Sequence, residues 1–196
     1  MEITLDVDPE DLQFAEVREA LENRAPMHAH MADKVEEFVK KFGRVKARSE
    51  HRTAGRLGAK PTGHLSQAYQ GIQSRADASG ASLLVPRASR LRAAFGKYTI
   101  TPQSSKYLTI AVNAEVYGRR AWEFDDLEFL RVGPKKTPIL ARDKGEDQLE
   151  TMYLLVESAE IPEDSSLLPF DELPEAASLA AKEYLDAQII KALNKS

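Results

Sequence analysis

The chain contains no cysteine. That excludes a disulfide framework and any thiolate-held metal, and it is compatible with a reducing compartment. Long apolar runs are missing too: Leu83-Leu84-Val85 is typical of the longest, far short of the roughly 18–20 residues a membrane span needs. The stretch Met1-Glu2-Ile3-Thr4-Leu5-Asp6-Val7-Asp8 is acidic where a secretory signal would be basic. A soluble chain with no export signal and no membrane partner is therefore expected. There is no internal repeat, no G-x-S-x-G, no phosphate loop and no dinucleotide glycine pattern. At 196 residues, 42% hydrophobic and 30% charged, the chain suits one domain with extended arms, or at most two small domains. Its polarity suggests that part of the surface is buried against neighbours.

What is present is charge, sorted by position. Residues 1–39 carry a net −8 and residues 40–92 a net +10; 93–142 carry +3 and 143–196 carry −9. The near-neutral total of −4 hides an acid–base–acid polarity. Asymmetry of this size points to a partner surface more than to a small-molecule pocket. It speaks to association and not to fold.

Hydrophobic spacing supplies the fold. Asp8-Pro9-Glu10-Asp11 has the acids and the proline of a helix start, and Phe14, Val17 and Leu21 follow at helical spacing. Pro26 interrupts, and Met27, Met31, Val35, Phe38 and Phe42 mark one face of a second helix that Gly43 is expected to stop. Thr62 is placed to cap a short helix with Leu65, Tyr69, Ile72 and Ala76 on one face. From residue 81 the period changes. Segments 81–85, 97–101, 107–112, 127–132, 137–141 and 151–157 are short, β-branched or aromatic, and divided by turn formers, which predicts an antiparallel sheet. Residues 161–174 read as an acidic loop. Pro174-Glu175 then opens a last helix with Ala177, Ala181, Tyr184, Leu185, Ile189 and Leu193 on its apolar side. The expected class is α+β: an antiparallel sheet of several short strands flanked by N-terminal helices and a C-terminal helix. Along a single domain, 1–42 is the helical N-terminal region and 43–63 a long basic loop. Residues 64–160 hold the short helix and sheet, and 161–196 the acidic loop and last helix.

Candidate chemistry is sparse. His28 and His30, two apart on a helix, do not share a face, so a surface or packing role is expected of them. His51 and His64 flank the basic stretch and read as solvated loop residues. Asp125, Asp126 and Glu128 lack the calcium-loop spacing, and Asp143, Glu146 and Asp147 around Gly145 look like a hairpin tip. No catalytic residue, metal or cofactor is assigned, and no enzyme activity is expected. The stretch with a functional reading is 43–63, where Arg44, Lys46, Arg48, Arg52, Arg56 and Lys60 lie among glycines and Pro61. Arginine forks suit phosphate or carboxylate oxygens. Interleaved aromatics, which a single-strand stacking platform requires, are absent from 43–63. That argues against sequence-reading or single-strand binding and leaves protein docking or nonspecific backbone contact. A nucleic-acid module using residues 44–60 with Arg87, Arg90 and Arg92 is the alternative.

Three stretches carry a resemblance. They are Glu50-His51-Arg52-Thr53-Ala54-Gly55-Arg56-Leu57-Gly58-Ala59-Lys60-Pro61-Thr62-Gly63-His64, then Lys97-Tyr98-Thr99-Ile100-Thr101-Pro102, then residues 106–120, which open Lys106-Tyr107-Leu108-Thr109-Ile110-Ala111-Val112. Together they resemble the phage virion morphogenesis, or tail completion, family of Mu-like phages and prophages. The third stretch in that family reads L-T-I-P-V; here Ala111 stands in place of the proline. The resemblance implies a non-enzymatic virion subunit at the neck or upper tail. Such a subunit assembles in the host bacterial cytoplasm into a homo-oligomeric ring, often sixfold, beside other neck or tail proteins, with DNA only as passing cargo. In that setting an acidic arm from 1–39 or 143–196 is expected to meet the basic stretch of a neighbour across a heterologous interface.

Overall fold

In the computed structural model, residues 18–19, 22–49, 52–87, 89–145 and 148–194 are described. Their order of helices, antiparallel strands and closing helix is the α+β arrangement the hydrophobic spacing predicts. Two compact units divide the chain. The first draws on 1–42, 69–86 and 168–196, and the second on 43–68 and 87–167.

In the first unit, helix α1 (Ala25–Ser49) begins where Asn23 Oδ1 accepts from the Ala25 N–H at 3.3 Å, with Pro26 in the first turn. Ala32, Val35 and Val39, at helical spacing, are its buried stripe. Strands β1 (Gln73–Asp77) and β2 (Gly80–Leu84) form a hairpin. Asp77 Oδ1 closes the turn by accepting from the Ser79 and Gly80 N–H groups at 2.7 and 3.2 Å. The Ser79 hydroxyl also donates to it and holds the Asp77 carboxyl below its ordinary pKa. The hairpin is tied to α1 by polar contacts. His28 Nδ1 lies 2.8 Å from the Asp77 carbonyl, Asp33 accepts from the Ser74 hydroxyl at 3.2 Å, and Glu36 accepts from the Ser74 N–H and from Lys40. The last helix, α4 (Leu173–Leu193), carries Pro174 in its first turn and places Glu183 beside His30 and Lys34. The His30 and Tyr184 rings are 5.9 Å apart. His28 and His30 thus both face neighbours within the first unit.

In the second unit, strands β4 (Leu108–Ala111), β5 (Glu128–Val132), β6 (Thr137–Asp143) and β7 (Leu149–Val156) form an antiparallel sheet in the order β4-β7-β6-β5. Strands β3 (Tyr98–Ile100) and β8 (Ala159–Ile161) pair separately. Val116, Met152 and Tyr153 are the buried centre, with Ala111, Ala121, Phe124, Leu127 and Leu140 packed on them. The Tyr153 hydroxyl reaches out of this core to the carbonyls of Val116 and Arg119, at 3.3 and 3.1 Å. Those two bonds pin the 113–124 connection over the sheet, because a buried hydroxyl without partners is unfavourable.

Several expectations need correction. Residues 43–63 are not a long loop. Helix α1 runs through Gly43 to Ser49, and α2 (Arg52–Leu57) follows. A glycine inside a helix costs about 1 kcal/mol relative to alanine. Here Gly43 and Ala47 lie on the buried side, where the missing Cβ is tolerated, and Arg44, Lys46 and Arg48 are good helix formers. Among the described residues of this stretch the irregular part shrinks to 58–63, between α2 and α3 (His64–Gln70). Gly58, at φ +67°, ends α2 with the paired bonds of a Schellman cap, Gly58 N–H to Gly55 O and Ala59 N–H to Ala54 O. Ile72 and Ala76 are not on the helical face shared by Leu65 and Tyr69, because α3 stops at Gln70, Ile72 follows it and Ala76 lies in β1. The expected helix over Phe14, Val17 and Leu21 lies outside the described residues.

Candidate partner surface

The last turns of α1 sort the basic residues by a simple rotation. Arg44 and Arg48, four residues apart, share an exposed side of the helix. Val45, beside them, is 68% exposed. Neither arginine has an ion pair or hydrogen bond among the described residues. Lys46 points elsewhere. It is half-buried, and its Nζ donates to Ser166 Oγ at 3.2 Å. Ser166 in turn donates to Asp164, which Arg90 approaches at 4.0 Å. Lys46 therefore belongs to an internal network and is not a free contact. Arg56 on α2 and Lys60 beyond its cap are exposed. Arg52 lies in α2, and its side chain is outside the described residues. Of the six residues expected to form the surface, Arg44, Arg48, Arg56 and Lys60 are presented outward and Lys46 is not.

The arginines considered for nucleic acid behave differently. Arg90 faces Asp164, and the Arg92 guanidinium lies 4.7 Å from the centre of the Tyr98 ring. Arg87 is exposed.

Two further groups of charge escaped the sequence reading. The first covers the 113–127 connection. Arg142 on β6 grips Glu115 with both terminal guanidinium nitrogens, at 2.7 and 3.0 Å, and its Nε lies 2.5 Å from Asp126. That fork holds the Glu115 carboxyl below its ordinary pKa and raises that of Arg142. Arg119 pairs with Glu123 at 3.2 Å and lies over the Phe124 ring at 4.1 Å. The Arg120 backbone N–H donates to Glu123 at 2.9 Å, and its guanidinium covers one side of Trp122, which is 72% exposed. Every cation here has a partner within the fold.

The second group is the β5–β6 hairpin. Its turn is closed by Lys136 N–H to Gly133 O at 3.0 Å, with Gly133 at φ +70° and Lys136 at φ +48°. Arg131, Lys135 and Lys136 are exposed, and none is paired among the described residues. The signal for this hairpin was legible: Gly133-Pro134-Lys135-Lys136 between two β-branched segments is turn chemistry.

Among the described residues no cluster of three His, Asp or Glu is arranged to hold a metal ion, and no helix is long and apolar enough to cross a membrane. Comparisons of the chain with protein-family models, with curated proteins and with solved structures find no match.

Proposed function

We propose that this chain is a structural subunit of a tailed-phage particle, joining its copies into a ring at tail completion or head–tail joining. It performs no catalytic step and lets DNA pass as cargo. The observation that supports the reading is how much binding chemistry the second unit leaves uncommitted. Among the described residues Arg44, Arg48, Arg56 and Lys60 are outward with no ion pair or hydrogen bond, Val45 beside them is 68% exposed, and Trp122, covered on one side by Arg120, is 72% exposed. Arginine and tryptophan are the residue types that dominate interface energetics. A cyclic assembly uses two different patches on each copy, which suits a chain whose acidic and basic stretches are separate. The resemblance of the three stretches supplies the setting.

Mass measurement of the purified chain by light scattering tests the ring. The expected result is a closed oligomer that a triple reversal, Arg44→Glu with Arg48→Glu and Arg56→Glu, weakens at least tenfold at low salt. A monomer at every concentration, with tight salt-dependent binding to duplex DNA, favours the nucleic-acid reading instead, because phosphate contacts release counterions.

A further inference from the structure

The sheet of the second unit ends in β5, whose outer edge has no strand partner among the described residues. The edge is not apolar-inert. On one face Val132 is 39% exposed and Leu130 half-buried; on the other Phe129 is 52% exposed, with its ring stacked on Tyr107 at 6.4 Å. Leu130 pairs with Ile139, Ile139 with Leu154, and Leu154 with Ile110, so one apolar row crosses all four strands and stops at β5. Arg131 projects on the opposite face, since side chains alternate along a strand.

Lysines and arginines on an edge strand ordinarily deter pairing between identical edges. Arg131, Lys135 and Lys136 crowd cations at the turn end of β5, and Glu128 at its start is the one acid on the strand. The same charges favour an acidic strand. The chain holds one. From Met1 to Asp8 apolar residues occupy every odd position and Glu2, Thr4, Asp6 and Asp8 the even ones, and Pro9 ends the run. Residues 1–17 contain six acids and no lysine or arginine.

We infer that residues 3–7 of one copy add to β5 of the next as a fifth strand of its sheet. Ile3, Leu5 and Val7 extend the apolar row from Leu130 and Val132. Glu2, Asp6 and Asp8 fall on the face of Arg131 and near the Lys135–Lys136 turn. Strand addition takes its affinity from main-chain hydrogen bonds and its register from alternate side chains. The inference rests on the proposed homo-oligomer and names the contact that closes it.

The cysteine-free chain makes the test direct. Full-length Leu5→Cys and Val132→Cys variants are mixed and oxidised, and the same pair of changes is placed in one chain. The mixture is expected to give covalent dimers and the double variant a ladder of oligomers, both reversed by reductant. A charge swap is the second arm. Arg131→Glu with Lys135→Glu and Lys136→Glu should weaken assembly at least tenfold, and a copy carrying Glu2→Lys, Asp6→Lys and Asp8→Lys should restore it. A ring without cross-links overturns the strand contact and leaves the ring standing. Cross-linking within one chain overturns the exchange between copies. A monomer at all concentrations overturns both the contact and the ring.

Discussion

The 113–127 connection and the β5–β6 hairpin lie in the same unit and are both rich in charge, yet they handle it in opposite ways. In the connection, Arg119, Arg120 and Arg142 each meet a carboxylate or an aromatic ring of their own chain. In the hairpin, Arg131, Lys135 and Lys136 meet nothing among the described residues. The α1 terminus repeats the contrast within one helical turn, Lys46 being held by Ser166 while Arg44 and Arg48 are left outward. Net charge does not separate these cases. What separates them is whether a side chain already has its counter-charge, and that decides whether its removal is felt in folding or in association.

The largest effect should come from the point where the connection is sterically tightest. Gly118 has φ +80°, and a Cβ there would collide with the Thr62 methyl. Gly118→Ala should lower stability by about 2–3 kcal/mol, from the left-handed backbone and the crowded methyl together. Chemical denaturation measures it. Adding Thr62→Ser removes the methyl and should recover part of the loss, leaving the backbone contribution. Full recovery would show that the backbone conformation is not demanding.

Next comes the hydroxyl of Tyr153. Tyr153→Phe keeps the buried ring and removes the donor to the Arg119 carbonyl, while the Val116 carbonyl still accepts from the Arg119 N–H at 3.1 Å; the expected loss is about 1 kcal/mol. Burial also raises the Tyr153 pKa above its ordinary value. An unchanged midpoint of unfolding would mean that water replaces the hydroxyl and that the connection is less firmly held than its geometry says.

Acid should then act on the committed charges and not on the free ones. Glu115 is lowered by its hydrogen bonds to Arg142, and Glu36 by Lys40 first and then by Ser74. A carboxyl whose folded pKa is depressed stabilises above its ordinary value of 4.5, and that contribution is lost as pH falls through the depressed value. Stability should therefore fall below about pH 4.5, and Arg142→Gln should flatten the fall. Pairing between Arg131 and acidic residues of another copy would show instead as oligomers that come apart in acid while each copy stays folded.

Much of this architecture is legible from residue order, and the failures share a physical cause. The β-branched and aromatic segments became β2 through β7 because alternation and turn formers agree there. Strand β1 was hidden because Gln73, Ser74, Arg75 and Asp77 are polar and mostly exposed, so the strand is held by its hairpin partner and by α1 and not by a core face. Strand β8 is three residues long and exists through its pairing with β3. Gly43 misled because propensity is local, while the side of the helix on which the glycine falls is set by the whole turn pattern. The basic residues were visible as composition. Which of them face outward was not, since that depends on α1 continuing for six residues past Gly43.

The smallest expected effect on folding belongs to the free group, and it carries the comparison furthest. Arg44→Glu with Arg48→Glu removes two cations that have no partner within the described fold and that lie four residues apart on an exposed helix side. Surface changes of this kind alter stability by no more than about 0.5 kcal/mol. Part of even that small change has an identifiable origin, because acids in the last turn of α1 oppose the helix dipole that Lys46 and Arg48 complement. Self-association should respond far more, by tenfold or greater at low salt, with the difference shrinking as ionic strength screens the exposed charges. Denaturation curves and sedimentation of the same protein sample read the two quantities side by side. A fall in folding stability without a change in association would place Arg44 and Arg48 with the committed charges, and the division between the two regions would then be one of degree.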